Sequence, residues 1–387
     1  MRFHKRCCCN IKIVLLGIAS QLLVCCYAWM LTTNSFGSKQ HSALHSTSPV
    51  HYNEDTETED SLKKLWEANP FSTVKYIIDA CLAHNNDSLP LLSLAGGHPI
   101  SYSTEYDELF RPLYSNHTNE NAFVIDLPPS TKHQNDKFHH FLLRVAYRGE
   151  GFCGWQRQPQ DQQQPKPSVQ KLLEDWLAVL DKRKVNIRVC GRTDSGVSAL
   201  GQVCRFRTRQ KLDAMDVYQH LHKLPSGSIR TTQVRQVTRA FHPTFSANCR
   251  AYTYLIDVND SLNFGDEKMN LLNEMLQVIE GRELSYIGLS YGKLKSKTAL
   301  CTLYHARARL VQTTNQTNNT AICIELVGDR FLRRMVRLLI YTAMRLAMTN
   351  SDPCSLLRYV EEHNHTPSYR AAPSDGLIFV GALFNAT

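Results

Sequence analysis

The chain has 387 residues, 43% of them hydrophobic, and a formal net charge of +9. That length and apolar content suffice to bury cores for two or three domains, which excludes a wholly disordered chain. Five of the Lys and Arg residues fall in the first fifty positions, where no Asp or Glu occurs; the rest carries +4, only a weak lean toward an anionic partner such as RNA.

Residues 1–50 open with "MRFHKRCCCNIK" and continue "IVLLGIASQLLVCCYAWML", a basic stretch followed by an apolar run with Ala28 near its end. This is the layout of a secretory signal peptide, and the run is also barely long enough for an uncleaved anchor. The next stretch, "TTNSFGSKQHSALHSTSPV", is rich in Ser, Thr and His and free of acids, the composition of a transit segment. Together they resemble the bipartite leader of algae whose plastid lies within the secretory system, and Trp29 after Ala28 fits its cleavage context. The expectation is an organellar protein, in a plastid reached by the secretory route, with no stable membrane partner once the leader is removed. A mitochondrial or ER-anchored protein is the alternative, and the sequons at Asn86, Asn116, Asn315 and Asn318 would matter in the latter.

Residues 51–136 read as an extension of unknown role, in which "NEDTETEDSLKKLWE" turns from acidic text into a short helix and "LPPSTKHQND" forms a linker. From Phe141 the pattern becomes regular. "FLLRVAY" places Phe141, Leu143, Val145 and Tyr147 on one face of a strand. After a Gln- and Pro-rich loop, Val169, Leu172, Leu173, Trp176, Leu177 and Leu180 keep helical spacing behind Ser168 as N-cap. "KVNIRVC" alternates Val185, Ile187 and Val189 as a strand that delivers the chain into Gly191.

"QVCRFRTRQ" alternates again, with Cys204, Phe206 and Thr208 on one face and Arg205, Arg207 and Arg209 on the other, a face for phosphates or for plain solvation. A helix, a turn and a strand follow through 213–237. Further strands are predicted near 250–257 and 303–311, helices near 267–280 and 330–348, and a closing strand near 377–384. The plan is α+β.

Of the thirteen cysteines, five lie in the first twenty-six residues and the others are scattered without a CxxC pair, so no metal site is expected. The candidate chemistry is "CGRTDSGVSA" at 190–199. An aspartate between glycines is commonly a turn former. Against that reading stand Arg192, whose guanidinium favours the ionised carboxylate that a nucleophile requires, and the glycines that permit close approach. No second acid, Ser-His-Asp set or metal-ligand spacing accompanies Asp194, so its residues leave a lone covalent carboxylate and a structural Asp both open.

"GRTDSGVSALGQV" resembles the signature of the TruA-type tRNA pseudouridine synthases. Other segments match in the same order, namely "YRGEGFCGWQRQP", "SVQKLLEDWL", "LPSGS", "FHPTFSANCRAYTYLI", "DRFLRRMVR" and "APSDGLIF", over about residues 140–385. The resemblance implies the pseudouridine synthase fold, with two RRM-like subdomains forming a mainly antiparallel sheet flanked by helices around a central active-site cleft. It divides the body at 137–240, carrying GRTD, and 241–387.

The implied activity is isomerisation of uridine to pseudouridine in the anticodon stem-loop of tRNA, roughly at positions 38–40, without metal or organic cofactor, by a homodimer. In that scheme Asp194 is the nucleophile, at uracil C6 or ribose C1′. Arg192 positions Asp194 and holds the displaced nucleotide, and Tyr252 stacks on the base and assists proton removal from C5. Arg205, Arg207 and Arg337 are candidate RNA contacts, Arg337 matching a family arginine near the site.

The chain departs from the family at Arg148 (usually Asp), Ser198 (commonly His), Thr244 (Arg), and in the glycine missing after Arg337. These changes bear on tRNA docking, and the competing reading is a catalytically inactive RNA-binding protein of the same fold.

Overall fold

A computed structural model of the protein describes residues 56–83, 92–94, 109–110, 113, 137–158, 165–225, 227–258, 264–294, 296–313, 320–361 and 370–384. Residues 1–50, Asn86, Asn116, Asn315, Asn318 and the "LPPSTKHQND" linker lie outside the described residues. In chain order the elements are α1 (Thr56–Ala68), α2 (Ser72–Leu82), β1 (Leu92–Leu94), β2 (His139–Tyr147), α3 (Val169–Asp181), β3 (Arg188–Val189), β4 (Ser198–Thr208), α4 (Ala214–Leu221), β5 (Ile229–Val237), β6 (Ala247–Asp257), α5 (Asp266–Ile279), β7 (Glu283–Ser285), β8 (Leu300–Thr313), β9 (Thr320–Gly328), α6 (Met335–Met348), α7 (Ser355–Glu361) and β10 (Leu377–Phe384).

The strands form one sheet in the order β1-β8-β9-β6-β10-β4-β2-β5, with β3 beside β4 and β7 beside β8. It is a mixed α+β architecture with a largely antiparallel sheet and flanking helices. The exception is the short parallel contact of β10 with β4, made by Ile378 opposite Ser198 and Phe379 opposite Ala199. This seam joins two antiparallel groups of strands. Beyond it β3 takes over the flank of β4, pairing Val189 with Cys204, so the chain from 190 to 197 runs between the two groups.

Local sequence explains the elements near the seam. Ser168 Oγ accepts the Lys171 N–H at 3.2 Å and caps α3, whose Val169, Leu173 and Leu177 are fully buried. Each such side chain contributes roughly 1.5–3 kcal/mol by leaving water. In β4, Cys204, Phe206 and Thr208 are buried while Arg207 is exposed, the alternation expected of a strand with one covered face. The strand predicted over 185–189 is regular only at Arg188–Val189, although Val185 and Ile187 are buried. Helix α6 begins at Met335 because Arg334 takes a left-handed conformation, φ 60°, and serves as its N-cap.

The extension contributes directly to this body. The predicted short helix is α1, and α2 follows it after Asn69. The Asp257 carboxylate, at the end of β6, accepts the backbone N–H groups of Ser72 and Thr73 and so caps α2 from a distant strand. At the other end of α2, Arg230 Nη1 of β5 donates to the carbonyls of Cys81 (3.2 Å) and Ala83 (2.9 Å), and Arg148 pairs with Asp79. Helix α2 therefore spans from one strand group to the other. Trp66 and Phe71 meet Tyr254 edge-on at 5.9 and 6.4 Å, and Glu59 of α1 binds Tyr341 and Arg370.

Candidate active site

The loop from Cys190 to Val197 is held by backbone and side-chain bonds on every side. Cys190 N–H donates to Val203 O at 2.8 Å, and Gln202 Nε2 donates to Gly191 O at 2.7 Å. Thr193 turns inward, its hydroxyl 2.8 Å from Tyr147 Oη and its carbonyl accepting Trp155 N–H at 3.0 Å. Gly196 is left-handed, φ 84°, and a Cβ there would stand 2.4 Å from Ser374 Oγ. A Cβ on Gly149 would stand 2.2 Å from Gly196 O, so both glycines are required by close approach. Ser198 Oγ accepts Gly149 N–H at 3.0 Å and locks the two loops together.

On this fixed backbone Asp194 keeps its side chain partly open, 32% exposed. Arg337 Nη1 donates to Asp194 Oδ2 at 3.2 Å, and Arg334 Nε lies 3.8 Å from the same oxygen. Arg337 is itself fixed, since its Nε donates to Ala372 O at 2.6 Å and its carbonyl accepts Ala372 N–H at 3.1 Å. The Arg334 guanidinium lies over the Tyr291 ring, 4.1 Å from its centroid. Both arginines belong to the N-terminal turn of α6, whose dipole also favours an anion there.

The pairing of Arg192 with Asp194 expected from the sequence does not occur. Arg192 is exposed, and no hydrogen bond or ion pair joins it to Asp194. A guanidinium 143 positions downstream, that of Arg337, takes the carboxylate instead. Arg205 donates to Arg239 O at 3.0 Å and to Phe241 O, so its guanidinium is engaged within the fold. Arg207 is exposed and stacks over Phe138 at 4.7 Å.

Tyr252 comes to the same place from β6. Its hydroxyl lies 3.6 Å from where a Cβ on Gly191 would be, and its ring is met edge-on by Phe331 (4.9 Å) and Phe379 (5.1 Å). It is only 8% exposed. Burial, chiefly, raises its pKa well above the ordinary tyrosine value, and the nearby Asp194 carboxylate pushes the same way while Arg250 opposes. The resting side chain is thus a neutral phenol. Of the two rings that meet it, Phe331 is the one outside a regular strand or helix.

Sequence reasoning missed Arg334, Phe331 and the Tyr147–Thr193 brace. Arg334 had a usable signal, because it precedes Arg337 by three residues, a spacing that brings two side chains to one side of a helix start. The brace had none, since it joins residues 46 apart. Among the described residues, no group of three or more His, Cys, Asp or Glu side chains is placed to hold a metal ion.

A family model described as tRNA pseudouridine synthase matches residues 289–385, the part that carries Arg334, Arg337 and β10. The chain is 30% identical over 255 residues to the tRNA pseudouridine synthase A of Chlorobium luteolum, covering 62% of this chain and 94% of that one. It is similar also to the proteins of that name from Borreliella burgdorferi, at 29% identity over 61% and 95% of the two chains, and Borrelia hermsii, at 28% over 63% and 98%. With nearly the full length of these relatives covered, and the matched segments placing an aspartate, two arginines and a buried tyrosine together at one seam, the chain belongs to the tRNA pseudouridine synthase family.

Proposed function

We propose that the protein isomerises uridine to pseudouridine in the anticodon stem-loop of tRNA, with Asp194 as nucleophile. The observation that carries this reading is Asp194 itself, partly exposed on a braced loop with Arg337 on one carboxylate oxygen and Tyr252 beside the loop. Attack at ribose C1′ breaks the bond to N1 and leaves its electron pair on the base; the rotated base then bonds through C5, expels the carboxylate, loses the C5 proton and gains one at N1. Attack at uracil C6 instead adds the carboxylate across the C5–C6 double bond; the N1–C1′ bond then breaks, the rotated base bonds to C1′ through C5, N1 gains a proton, and loss of the C5 proton with expulsion of the carboxylate from C6 gives the same isomer. Either course is atom-balanced and consumes no co-reactant.

Extruding the uridine from its stack costs a few kcal/mol, and the stacking surface that repays part of it is Tyr252. The neutral phenol suits stacking directly; removal of the C5 proton by Tyr252 needs it ionised first, which its burial opposes. Arg337 and Arg334 orient the carboxylate, and Arg192, exposed on the same loop, is free to meet the displaced nucleotide. Arg207 on the surface of β4 suits a phosphate, whereas Arg205 acts through the loop it supports.

In this reading the groups β2–β5 and β6–β10 are two RRM-like subdomains, the seam is the floor of a central cleft, and two subunits cradle one tRNA. Residues 1–50 act as an organellar leader, which C-terminal fluorescent tagging tests; an ER-lumen signal would defeat it. The activity is tested by incubating the protein with organellar tRNA transcripts and mapping pseudouridine. Product undiminished in D194A would defeat the nucleophile assignment, and absence of product from any tRNA would defeat the activity.

A further inference from the structure

Phe245 is 84% exposed, more than any other large apolar side chain among the described residues. Its ring lies on that of His242, with centroids 4.5 Å apart and planes 29° from parallel. His242 Nδ1 accepts the N–H groups of Thr244 (3.2 Å) and Phe245 (3.4 Å), while Ser246 N–H donates to His242 O at 2.8 Å. The loop from Phe241 to Ser246 is therefore tied into one tight turn. It is also tied to the site, because Thr244 Oγ1 donates to Val189 O at 2.7 Å, in the strand that leads into Cys190 and Gly191. Arg250 Nη2 donates to Thr244 O at 2.6 Å from the strand that carries Tyr252.

From this arrangement we propose that Phe245, backed by His242, is a stacking platform for a nucleobase of the bound tRNA next to the reacting uridine. The inference rests on the tRNA reading above. An aromatic face held out into water by a rigid turn has no partner in its own core, and any base offers a matching face. The surroundings select an anionic partner. Arg188 stands opposite Arg205 in the β3–β4 register, Arg205 reaches Phe241 O, and both Arg188 and Arg239 are exposed. Cations placed around an aromatic surface suit phosphates flanking a stacked base, whereas the centre of a protein–protein interface is poor in charge.

His242 fits the same role. Its pKa is lowered, by burial first and then by Arg188 and Arg205, which keeps Nδ1 available as the acceptor that fixes the turn. The substitution at Thr244, where the family has an arginine, leaves the turn intact because the threonine hydroxyl anchors it to β3.

The test compares the full chain with F245A, F245L and F245W for binding of an unmodified tRNA transcript, for the KM and kcat of pseudouridine formation, and for oligomeric state by light scattering. F245A is expected to weaken tRNA binding and raise KM by roughly 5- to 150-fold, with a smaller change in kcat, and an unchanged salt slope because no phosphate contact is lost. F245L is expected to fall with F245A, and F245W to stay within about twofold of the parent. An F245L variant that binds like the parent, an F245A variant with unchanged affinity, or a loss that tracks a change in oligomeric state would each overturn the platform, the last by assigning the patch to a second copy of the chain. A parent protein that binds tRNA but makes no pseudouridine would defeat the catalytic reading while the binding comparison still decides the platform; a parent that does not bind tRNA would overturn both.

Discussion

The loop at 190–197 and the helix pair at 56–82 are both fixed to the seam of the sheet, yet they differ in what they expose. The loop spends its backbone on internal bonds and leaves one carboxylate partly open to solvent between two arginines. The helix pair closes its polar groups on the sheet, with the first turn of α2 on Asp257 and its last carbonyls on Arg230. The difference separates chemistry from cohesion: one element holds a reactive group still, and the other ties together the two strand groups between which that group sits. Substitutions in the two are expected to fail in different assays.

The largest expected effect is on the loop side. D194A removes the attacking atom and is expected to lower the rate of pseudouridine formation by at least about 10⁴-fold. Its effect on unfolding should be about 1 kcal/mol or less, because the ion pair it removes is partly solvated. A D194A protein with a strongly lowered urea midpoint would show that the loop carries cohesion as well. R337K is next, near 10²-fold in kcat, since a lysine keeps charge but cannot hold both Ala372 O and Asp194 as a planar fork. Equal loss in R337K and R192K would return Arg192 to the role the sequence suggested for it.

On the helix side, D257N takes the charge from the cap of α2 and is expected to cost about 1–2 kcal/mol in a urea titration, with kcat changed less than threefold. A collapse of kcat at full stability would erase the distinction between the two regions. The Arg148–Asp79 pair is worth less, about 0.5 kcal/mol, because both side chains are substantially exposed. R148D and D79R should each lose that amount and the double exchange should recover it; three equal midpoints would mean the contact contributes nothing.

The same contrast explains what could be read from the sequence. The loop announces itself in ten consecutive residues, and the strands around it alternate visibly at Phe141–Tyr147 and Cys204–Thr208. Asp257 and Thr73 are 184 positions apart, so nothing in "STVKYIIDACL" says that a distant carboxylate caps it. Strand β9 escaped notice for another reason. "AICIELVG" is buried on both faces, so it lacks alternation, and its one charged residue, Glu325, is satisfied by Arg309 at 2.7 Å and by His305. Arg337 was legible as a site residue through family resemblance, but its partner was not, because a motif names neighbours in sequence and the seam chooses neighbours in space.

The remaining expected effect concerns pH and bears on the brace beneath the loop. Burial, opposed by the bonds from Gln202 and Thr193, pushes Tyr147 from its ordinary 10 up to about 12, and burial pushes Cys190 from 9 up to about 11. Both groups stay protonated in the fold at pH values where the unfolded chain has already ionised. Their contribution is therefore complete below about pH 9 and declines as pH rises through 9–12. The urea midpoint should fall across that window, and Y147F should flatten the upper part of the decline while costing about 1 kcal/mol at neutral pH through the lost bond to Thr193. If Y147F left the alkaline slope unchanged, Tyr147 would be ionising as readily in the fold as outside it, and the loop would rest on a solvated brace instead of a buried one.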